Sequence, residues 1–485
     1  MSVVYDLLII GGGINGAAIA REAVLNGLSV LLVEKGDLAS ATSSASTKLI
    51  HGGLRYLEFY DFKLVREALI ERERLLKAAP HLIHPLTFIL PQENALRPWW
   101  MVRIGLFLYD HLGGPMSLAK SRGLNADDRL YRAPLKGNGR GFVYSDAWVD
   151  DSRLVILNAR DAADNGAEIV TRTALVSAVR NADRWDATLD DGRNVEARAI
   201  VNAAGPWVAR VNALLGAHGS AGARLIKGSH IVTKKLFEGD HAYILQQPDR
   251  RIVFAIPYRG EHTLIGTTDI AVERAEDATI TDEEIDYLLD CVNRHFTRQA
   301  SRDDIVSTYW GVRSLYDDGA SEARQVTRDY VLEMEPGGAP LLAVFGGKIT
   351  TARQLAEDAL AKLGPALGVP VARVTRARIF PGGEIAHFSD FVAEVQTRWP
   401  FLGIDRARRM AAAYGTMLNV MLEGVTDEAG LGEDFGGGLT EREVRWLIDR
   451  EWARTAEDIL WRRTRIGLDT GPETVTRLQA WLDRQ

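Results

Sequence analysis

Gly11-Gly-Gly-Ile-Asn-Gly16 sets three glycines at G-x-G-x-x-G spacing, and an acidic residue, Glu34, follows eighteen positions after the last. These types suit a bound pyrophosphate. Gly11 permits a tight turn, Gly13 lets phosphate approach the backbone, and Gly16 lets a helix close on its strand, while the helix start at Ile14 and Asn15 supplies positive potential. A carboxylate at Glu34, followed by Lys35, binds a ribose hydroxyl pair and repels a 2′-phosphate. The ligand is therefore FAD or NAD rather than NADP. A second cluster, Thr42 to Glu58 (TSSASTKLIHGGLRYLE), gathers hydroxyls, a Lys, a His, a Gly pair and an Arg with no helix or strand period. Such a stretch is either a flexible Ser-rich surface loop or a loop that follows a ligand's contour, with hydrogen-bond donors at Thr42, Ser43, Ser44, Ser46 and Lys48 and a pliable backbone at Gly52 and Gly53.

The elements around these residues must hold them in place. Tyr5 to Ile10 is an apolar run suited to a strand covered on both faces, Asn15 to Asn26 reads as a helix, and Ser29 to Val33 as a second buried strand. Asp61 to Ala79 has amphipathic helical spacing, its ERER run read as a solvated face. Pro91 to Asn138 is irregular and reads as an insertion over the sheet. Leu154 to Gly166 returns to helix, and Ala199 to Gly205 is a strand ending in a small-residue turn before Trp207. Arg224 to Asp269 is strand-rich. Leu341 to Phe345 is a further apolar strand leading into Gly346-Gly347-Lys348-Ile349-Thr350, and past Pro381-Gly382-Gly383 the spacing turns helical. A single βαβ unit whose sheet resumes near residues 200 and 341 cradles its dinucleotide with three distant segments, the arrangement of a flavoprotein.

With 485 residues, two or three domains are expected. The net charge of −7 argues against nucleic acid as a partner. One cysteine, Cys291, excludes an intramolecular disulfide and an all-cysteine metal centre, so no metal is expected and a reducing, cytoplasmic setting fits. No signal peptide is expected. The longest apolar run, Trp99 to Tyr109, is too short to span a bilayer and carries Arg103.

Glu34-Lys-Gly-Asp, ATSSASTKLIHGGLRYLE, YSDAWVDDSRLV, RLIKGSHIV, IGTTD, SRDDIV, GVRS, FGGKITT and LWRRT, in this order from Tyr5 to beyond Arg463, together resemble the FAD-dependent, quinone-linked glycerol-3-phosphate dehydrogenases. The resemblance implies an α/β fold: an FAD-binding Rossmann-like domain of glutathione-reductase/D-amino-acid-oxidase type, a mainly antiparallel substrate domain and an all-helical C-terminal domain. The expected division is FAD binding at 1–75, 146–223 and 336–384, a cap or insertion at 76–145, the substrate sheet at 224–335 and the helical domain at 385–485. FAD contacts are expected from Gly11, Gly13 to Gly16, Glu34, Lys35, Thr42 to Ser44, Ser46, Lys48, His51 to Leu54, Ala204, Gly205, Trp207 and Gly346 to Thr350. Arg55, Tyr56, Arg313, Lys348 and Thr350 or Thr351 would grip the substrate's phosphate.

The implied reaction oxidises sn-glycerol 3-phosphate to dihydroxyacetone phosphate, with hydride passing to flavin N5. His230 is the first choice of base, His51 the rival, and Arg313 stabilises the developing alkoxide. Ser314 follows Arg313 where the family has Pro, which loosens the expected support of Arg313, and Tyr258 replaces a common Trp. Ubiquinone or menaquinone would accept the electrons at the cytoplasmic membrane face. The chain would be peripheral there, with Trp99, Trp100, Ile104, Leu106 and Phe107 as an apolar landing patch, core packing or a subunit contact such as a homodimer being the other account of these residues. Arg462, Arg463 and Arg465 either touch anionic lipid or form surface salt bridges. Two enzyme readings stay open, a glycerol-3-phosphate oxidase using oxygen and an amine oxidase of the same fold; a third is a non-catalytic flavin- or nucleotide-sensing protein.

Overall fold

A computed structural model describes residues 3–93, 95, 97–137, 140–217, 222–317 and 329–485. The run Leu7-Leu8-Ile9 is fully buried because Val4–Ile10 is a central strand, flanked on both sides by parallel partners, Asn194–Asn202 and Val30–Glu34. Strand order is Val331–Glu335, Leu341–Phe345, Asn194–Asn202, Val4–Ile10, Val30–Glu34, Glu168–Thr171; only the first pair is antiparallel. Alternate side chains serve opposite faces. Leu7, Ile9 and Leu32 meet helices Ile14–Leu25, Asp151–Asp164 and Ala352–Leu367, while Leu8, Ile10 and Leu31 meet Trp185, Ala187 and Leu189 of an antiparallel meander.

The second sheet runs Ile270–Val272, Gly222–Lys234, His262–Gly266, Ile252–Tyr258, Ala242–Gln246, Ile83–Pro91, Gly141–Val149, Leu49–Ile50, with Ile305–Asp317 also antiparallel to Gly222–Lys234. Ala242–Gln246 alone runs parallel to its neighbour Ile83–Pro91. Register sets Arg313 opposite Ile226, and His230 opposite Tyr309 and Gly266. Arg313 and Ser314 both lie in the regular part of this ladder, away from its irregularity at Val232 and Thr233, so Ser314 does not loosen the backbone under Arg313.

Two expected boundaries move. Ile83–Pro91 and Gly141–Val149 pair along their whole length inside the second sheet, so only the stretch between them, with helix Trp99–Leu112, is an excursion from it. Val331–Glu335 joins the first sheet rather than the substrate sheet. The C-terminal domain is helical as expected, with helices Phe388–Arg398, Gly403–Tyr414, Glu441–Glu451 and Pro472–Leu482, and adds one short pairing of Asp434–Gly436 with Leu439–Thr440. It has its own core, which includes Trp399, Met410, Tyr414 and Leu447.

The charged run of helix Phe62–Ala78 is not a solvated face. Glu71 and Arg72 are buried; Arg72 pairs with Asp146 at 2.8 Å, and Glu71 with Arg353 at 2.7 Å. These pairs tie the helix to the second sheet and to helix Ala352–Leu367, which covers the first.

Candidate active site

A cavity of about 1360 Å³ runs between the two sheets, from the glycine turn to Arg55, Tyr56 and Arg313. It exceeds the usual 300–1,000 Å³ of a drug-sized pocket and has room for a dinucleotide with a small second ligand.

At one end Gly11, with φ +111°, turns the chain; a Cβ there would meet the Ala203 carbonyl at 2.5 Å. Gly16 does not line the cavity. A Cβ on it would lie 1.9 Å from the Gly11 carbonyl, so it serves helix–strand closeness. Glu34 accepts from the Gly12 N–H at 2.7 Å and the Gly36 N–H at 2.8 Å. Burial pushes its carboxyl up and those two amides oppose the shift. The Lys35 ammonium lies 3.4 Å from the Trp207 ring centroid, and Ala204, Gly205 and Trp207 line the wall beside it. Asn15 reaches across to the third segment: its Nδ2 donates to Gly346 O at 3.0 Å, and its buried Oδ1 has no partner among the described residues.

The hydroxyl-rich loop departs from expectation. Thr42 Oγ1 donates to Val312 O at 2.5 Å, Ser44 Oγ to Ala41 O at 3.3 Å, and Ser46 Oγ to Asp151 at 2.6 Å. These protons fold the loop. Ser43 Oγ accepts from the Ile14 N–H at 3.0 Å and keeps its own hydrogen for a ligand. Lys48 is buried, its ammonium 3.1 Å from Asp151 and 3.0 Å from Ser44 O, and it does not line the cavity. Neither does Ser44 or Gly52; a Cβ on Gly52 would strike Leu69 and the Tyr109 hydroxyl rather than a ligand. Ser44, Lys48 and Gly52 are thus corrected from cofactor contacts to supports of the loop.

At the other end Arg55 Nη2 donates to Arg250 O at 2.9 Å, and the half-exposed Arg313 pairs with Asp269 at 3.0 Å. Lys348 differs from both. Among the described residues its ammonium is buried without a hydrogen-bond partner, 4.1 Å from the Tyr56 ring centroid. Thr350 and Ile349 line the same wall, and the Thr350 hydroxyl accepts from the His51 N–H at 3.4 Å; Thr351 is buried away from the cavity.

Both candidate imidazoles line this end. His230 stacks on Tyr309 at 4.7 Å between centroids, and its Nε2 lies 3.0 Å from Thr47 Oγ1. Burial, then the Lys48 and Arg313 charges, push its pKa down to about 3. His51 Nδ1 accepts from the Gly53 N–H at 3.0 Å, which puts the hydrogen of its neutral ring on Nε2. Burial also lowers its pKa; Asp146 opposes, and Lys348 and Arg72 add to the shift. Both rings are neutral near pH 7, and His230 is the one whose accepting nitrogen is not claimed by a backbone amide.

Sequence reasoning missed Thr47, Phe88, Tyr144, Arg251, Ile252 and Phe254, all of which line the cavity. The strand residues carried a signal. Ile252 and Phe254 face the cavity while Val253 and Ala255 fill the core behind, a period of two readable from the sequence.

The donors present fit FAD. A glycine turn at a helix start, an acidic strand end, Asn15 with an unpaired buried oxygen and Lys348 with an unpaired buried ammonium converge from the three segments that line one cavity.

Two family models match: residues 6–353 match one described as FAD dependent oxidoreductase, and residues 373–483 one described as the C-terminal domain of alpha-glycerophosphate oxidase. A glycerol-3-phosphate dehydrogenase of Pseudomonas aeruginosa is 50% identical over 100% of this chain and 96% of its own length. A D-erythritol 1-phosphate dehydrogenase of Brucella abortus is 48% identical over 99% and 97%. The crystal structure of the glycerol-3-phosphate dehydrogenase from Bacillus halodurans complexed with FAD superposes with a TM-score of 0.76 and 26% identity, covering 99% of this chain and 94% of that one. With such identity across its full length, the chain belongs to the FAD-dependent glycerol-3-phosphate dehydrogenase family.

Proposed function

We propose that the protein oxidises sn-glycerol 3-phosphate to dihydroxyacetone phosphate, its electrons leaving to ubiquinone or menaquinone at a membrane surface. The observation that carries this is Lys348: a buried, unpartnered ammonium in the cavity that also holds the dinucleotide turn, with Arg55 and Arg313 on the same wall. A dianionic phosphate satisfies that ammonium, whereas the carboxylate of an amino acid offers half the charge to three cations.

FAD, when bound, supplies the acceptor for the hydride that leaves carbon 2. Lys348, Arg55 and Arg313 hold the phosphate and so fix carbon 2; His230, neutral near pH 7 and oriented by Thr47 at Nε2, takes the hydroxyl proton. Arg313 adds positive charge beside the developing alkoxide. Tyr56, resting on Lys348, closes the wall behind the phosphate.

The electron-acceptor side rests on surface chemistry. Among the described residues no helix is long and apolar enough to cross a membrane. Helix Trp99–Leu112 exposes Trp99, Trp100, Met101, Ile104 and Phe107, and it packs on the Leu54–Phe59 turn, after which Tyr60 and Phe62 are exposed too. Leu106 is fully buried and is corrected out of the landing patch. An aromatic-rich face of this kind suits a lipid interface, where a quinone resides, and we place the protein on the cytoplasmic side of that interface.

D-Erythritol 1-phosphate is the second substrate reading, on the strength of the Brucella abortus relative. One experiment separates the alternatives. The flavin band is followed without oxygen as glycerol 3-phosphate or D-erythritol 1-phosphate is added, and then a soluble quinone. Bleaching by glycerol 3-phosphate and recovery on quinone are expected; bleaching by the tetritol phosphate alone would reassign the substrate, and stoichiometric peroxide in air would reassign the acceptor.

A further inference from the structure

Arg463 and Arg465 are buried, and Arg462, which does form one surface pair with Glu457 at 2.8 Å, also turns inward. The π-helical turn Asp458–Arg463 directs them inward, onto the two loops that flank the cofactor cavity. Arg463 is fully buried, and its Nη1 and Nη2 donate to Asp37 at 2.8 and 2.7 Å, with Arg462 Nε adding a bond at 2.7 Å. Arg465, held at φ +57°, donates from Nε to Asp150 at 2.8 Å and from Nη2 to Ser152 Oγ at 2.8 Å and to Asp151.

Asp151 is the junction. Its buried carboxylate also accepts from the Ser46 N–H at 3.2 Å, the Ser46 hydroxyl at 2.6 Å and the Lys48 ammonium at 3.1 Å. Burial pushes this carboxyl up, and Arg465 and Lys48 outweigh it, so it stays charged. Beyond the junction, Ser46 O accepts from the Tyr309 hydroxyl at 2.9 Å, Tyr309 stacks on His230, and Thr47 Oγ1 meets His230 Nε2 at 3.0 Å. An unbroken path of bonds therefore runs from the C-terminal domain to the imidazole.

We propose that Arg465 is a positioning residue: through Asp151 it fixes the Ser46–Thr47 turn and so sets the His230 ring for proton removal. The domains do not need Arg465 merely to stay joined. Arg463 with Asp37, and the fully buried Arg153 with Glu451, already staple them. Without Arg465, Asp151 has one cation in place of two, and the turn follows Lys48 alone. The charged groups facing His230 are Lys48, Arg313 and Asp151, and Tyr309 covers one ring face.

The inference rests on the proposed oxidation and on His230 as the proton acceptor. Its test is a double-mutant cycle on the holoenzyme with Arg465→Met and Thr47→Val, read by the anaerobic rate of flavin bleaching with glycerol 3-phosphate and by visible circular dichroism of the bound flavin. Each single variant is expected to slow bleaching about tenfold with half-saturation changed less than about threefold, and the pair to be about as slow as either single. Arg465→Lys recovers part of the rate. The dichroism band changes alike in both single variants. A pair about 100-fold slow, or Arg465→Met at the parent rate, overturns the proposal. Where Arg465→Met fails to fold, Ser46→Ala takes its place in the same cycle and is read by the same criteria. If the parent flavin is not bleached by glycerol 3-phosphate, the substrate reading has failed instead; the dichroism comparison then decides, and bands unchanged from the parent overturn the positioning role.

Discussion

Replacing Lys348 by Met keeps the length of the side chain and deletes a charge whose ammonium is buried without a hydrogen-bond partner. Two effects of opposite sign follow. Without ligand, an unsatisfied buried polar group costs about 1–3 kcal/mol, and the contact with the Tyr56 ring returns about 0.5–1 kcal/mol, so its loss makes the apoprotein no less stable. With substrate, a charge-assisted bond to phosphate of about 1.5–3 kcal/mol disappears, which is about a 10- to 150-fold rise in KM for uniform binding. The assay has two arms: melting of apoprotein with and without glycerol 3-phosphate, and steady-state kinetics with a soluble quinone. The expected pattern is an unchanged or raised melting temperature, loss of most of the stabilisation by substrate, and the rise in KM with kcat changed little. The preference for glycerol 3-phosphate over glycerol falls by the same factor. A KM within twofold of the parent, or equal losses for glycerol and its phosphate, would refute the assignment of Lys348 to the phosphate.

Arg55→Ala, losing a guanidinium anchored on Arg250 O, should raise KM about tenfold while FAD stays bound, as read from the ratio of visible to ultraviolet absorbance. Asp269→Asn should lower KM about two- to fivefold, since it frees Arg313 from a half-exposed pair worth about 0–1 kcal/mol and removes a negative charge from the cavity wall; a KM that stays put or rises sinks this account. Acid should destabilise the fold well before its carboxylates titrate. Burial pushes His81 and His230 down to about 3 and His84 and His241 down to about 4, so below pH 6.5 the unfolded chain binds protons that the folded one refuses. Stability is full above about 6.5 and falls through the window down to about 4, each histidine contributing up to about 1.4 kcal/mol per pH unit. A melting temperature flat between pH 6.5 and 4.5 would contradict that.

The parts of the site that could be read from the sequence were local. Gly11, Gly13, Gly16 and Glu34 lie within one strand–helix–strand unit, where spacing alone sets geometry, and the strand is fully buried as its apolar run requires. Helix Trp99–Leu112 was half legible. Val102, Leu106 and Tyr109 form one stripe at i, i+4, i+7 and pack inward, while Trp100, Ile104 and Phe107 form the opposite stripe and stay exposed. Reading Trp99, Trp100, Ile104, Leu106 and Phe107 as one patch put Leu106 on the wrong face; helical period would have separated the two.

The charges were illegible for a different reason. Glu71-Arg-Glu-Arg74 and Arg462-Arg-Thr-Arg465 look alike in sequence, runs of charge on a helix; Arg74 and Arg462 do find local partners, but the default of a solvated face fails for Glu71, Arg72, Arg463 and Arg465, whose partners are remote. Arg463 meets Asp37 across 426 positions, and Arg353 meets Glu71 across 282. No local pattern encodes such a pairing.

The same limit governs the cations and hydroxyls of the substrate side. Their types alone make Arg55, Arg313 and Lys348 equivalent, but their partners rank them: among the described residues Arg55 is tied to a carbonyl, Arg313 to an exposed carboxylate, and Lys348 to an aromatic face without a hydrogen-bond partner. A group already desolvated and unpaired gives a phosphate more than one that must first surrender a partner. The loop hydroxyls rank in the same way. Thr42, Ser44 and Ser46 spend their protons on the loop itself, which fixes its shape before any ligand arrives, and Ser43 alone among these four keeps its proton to give. A polar-rich sequence thus marks where a ligand is held, and the internal hydrogen bonds decide which of its groups do the holding.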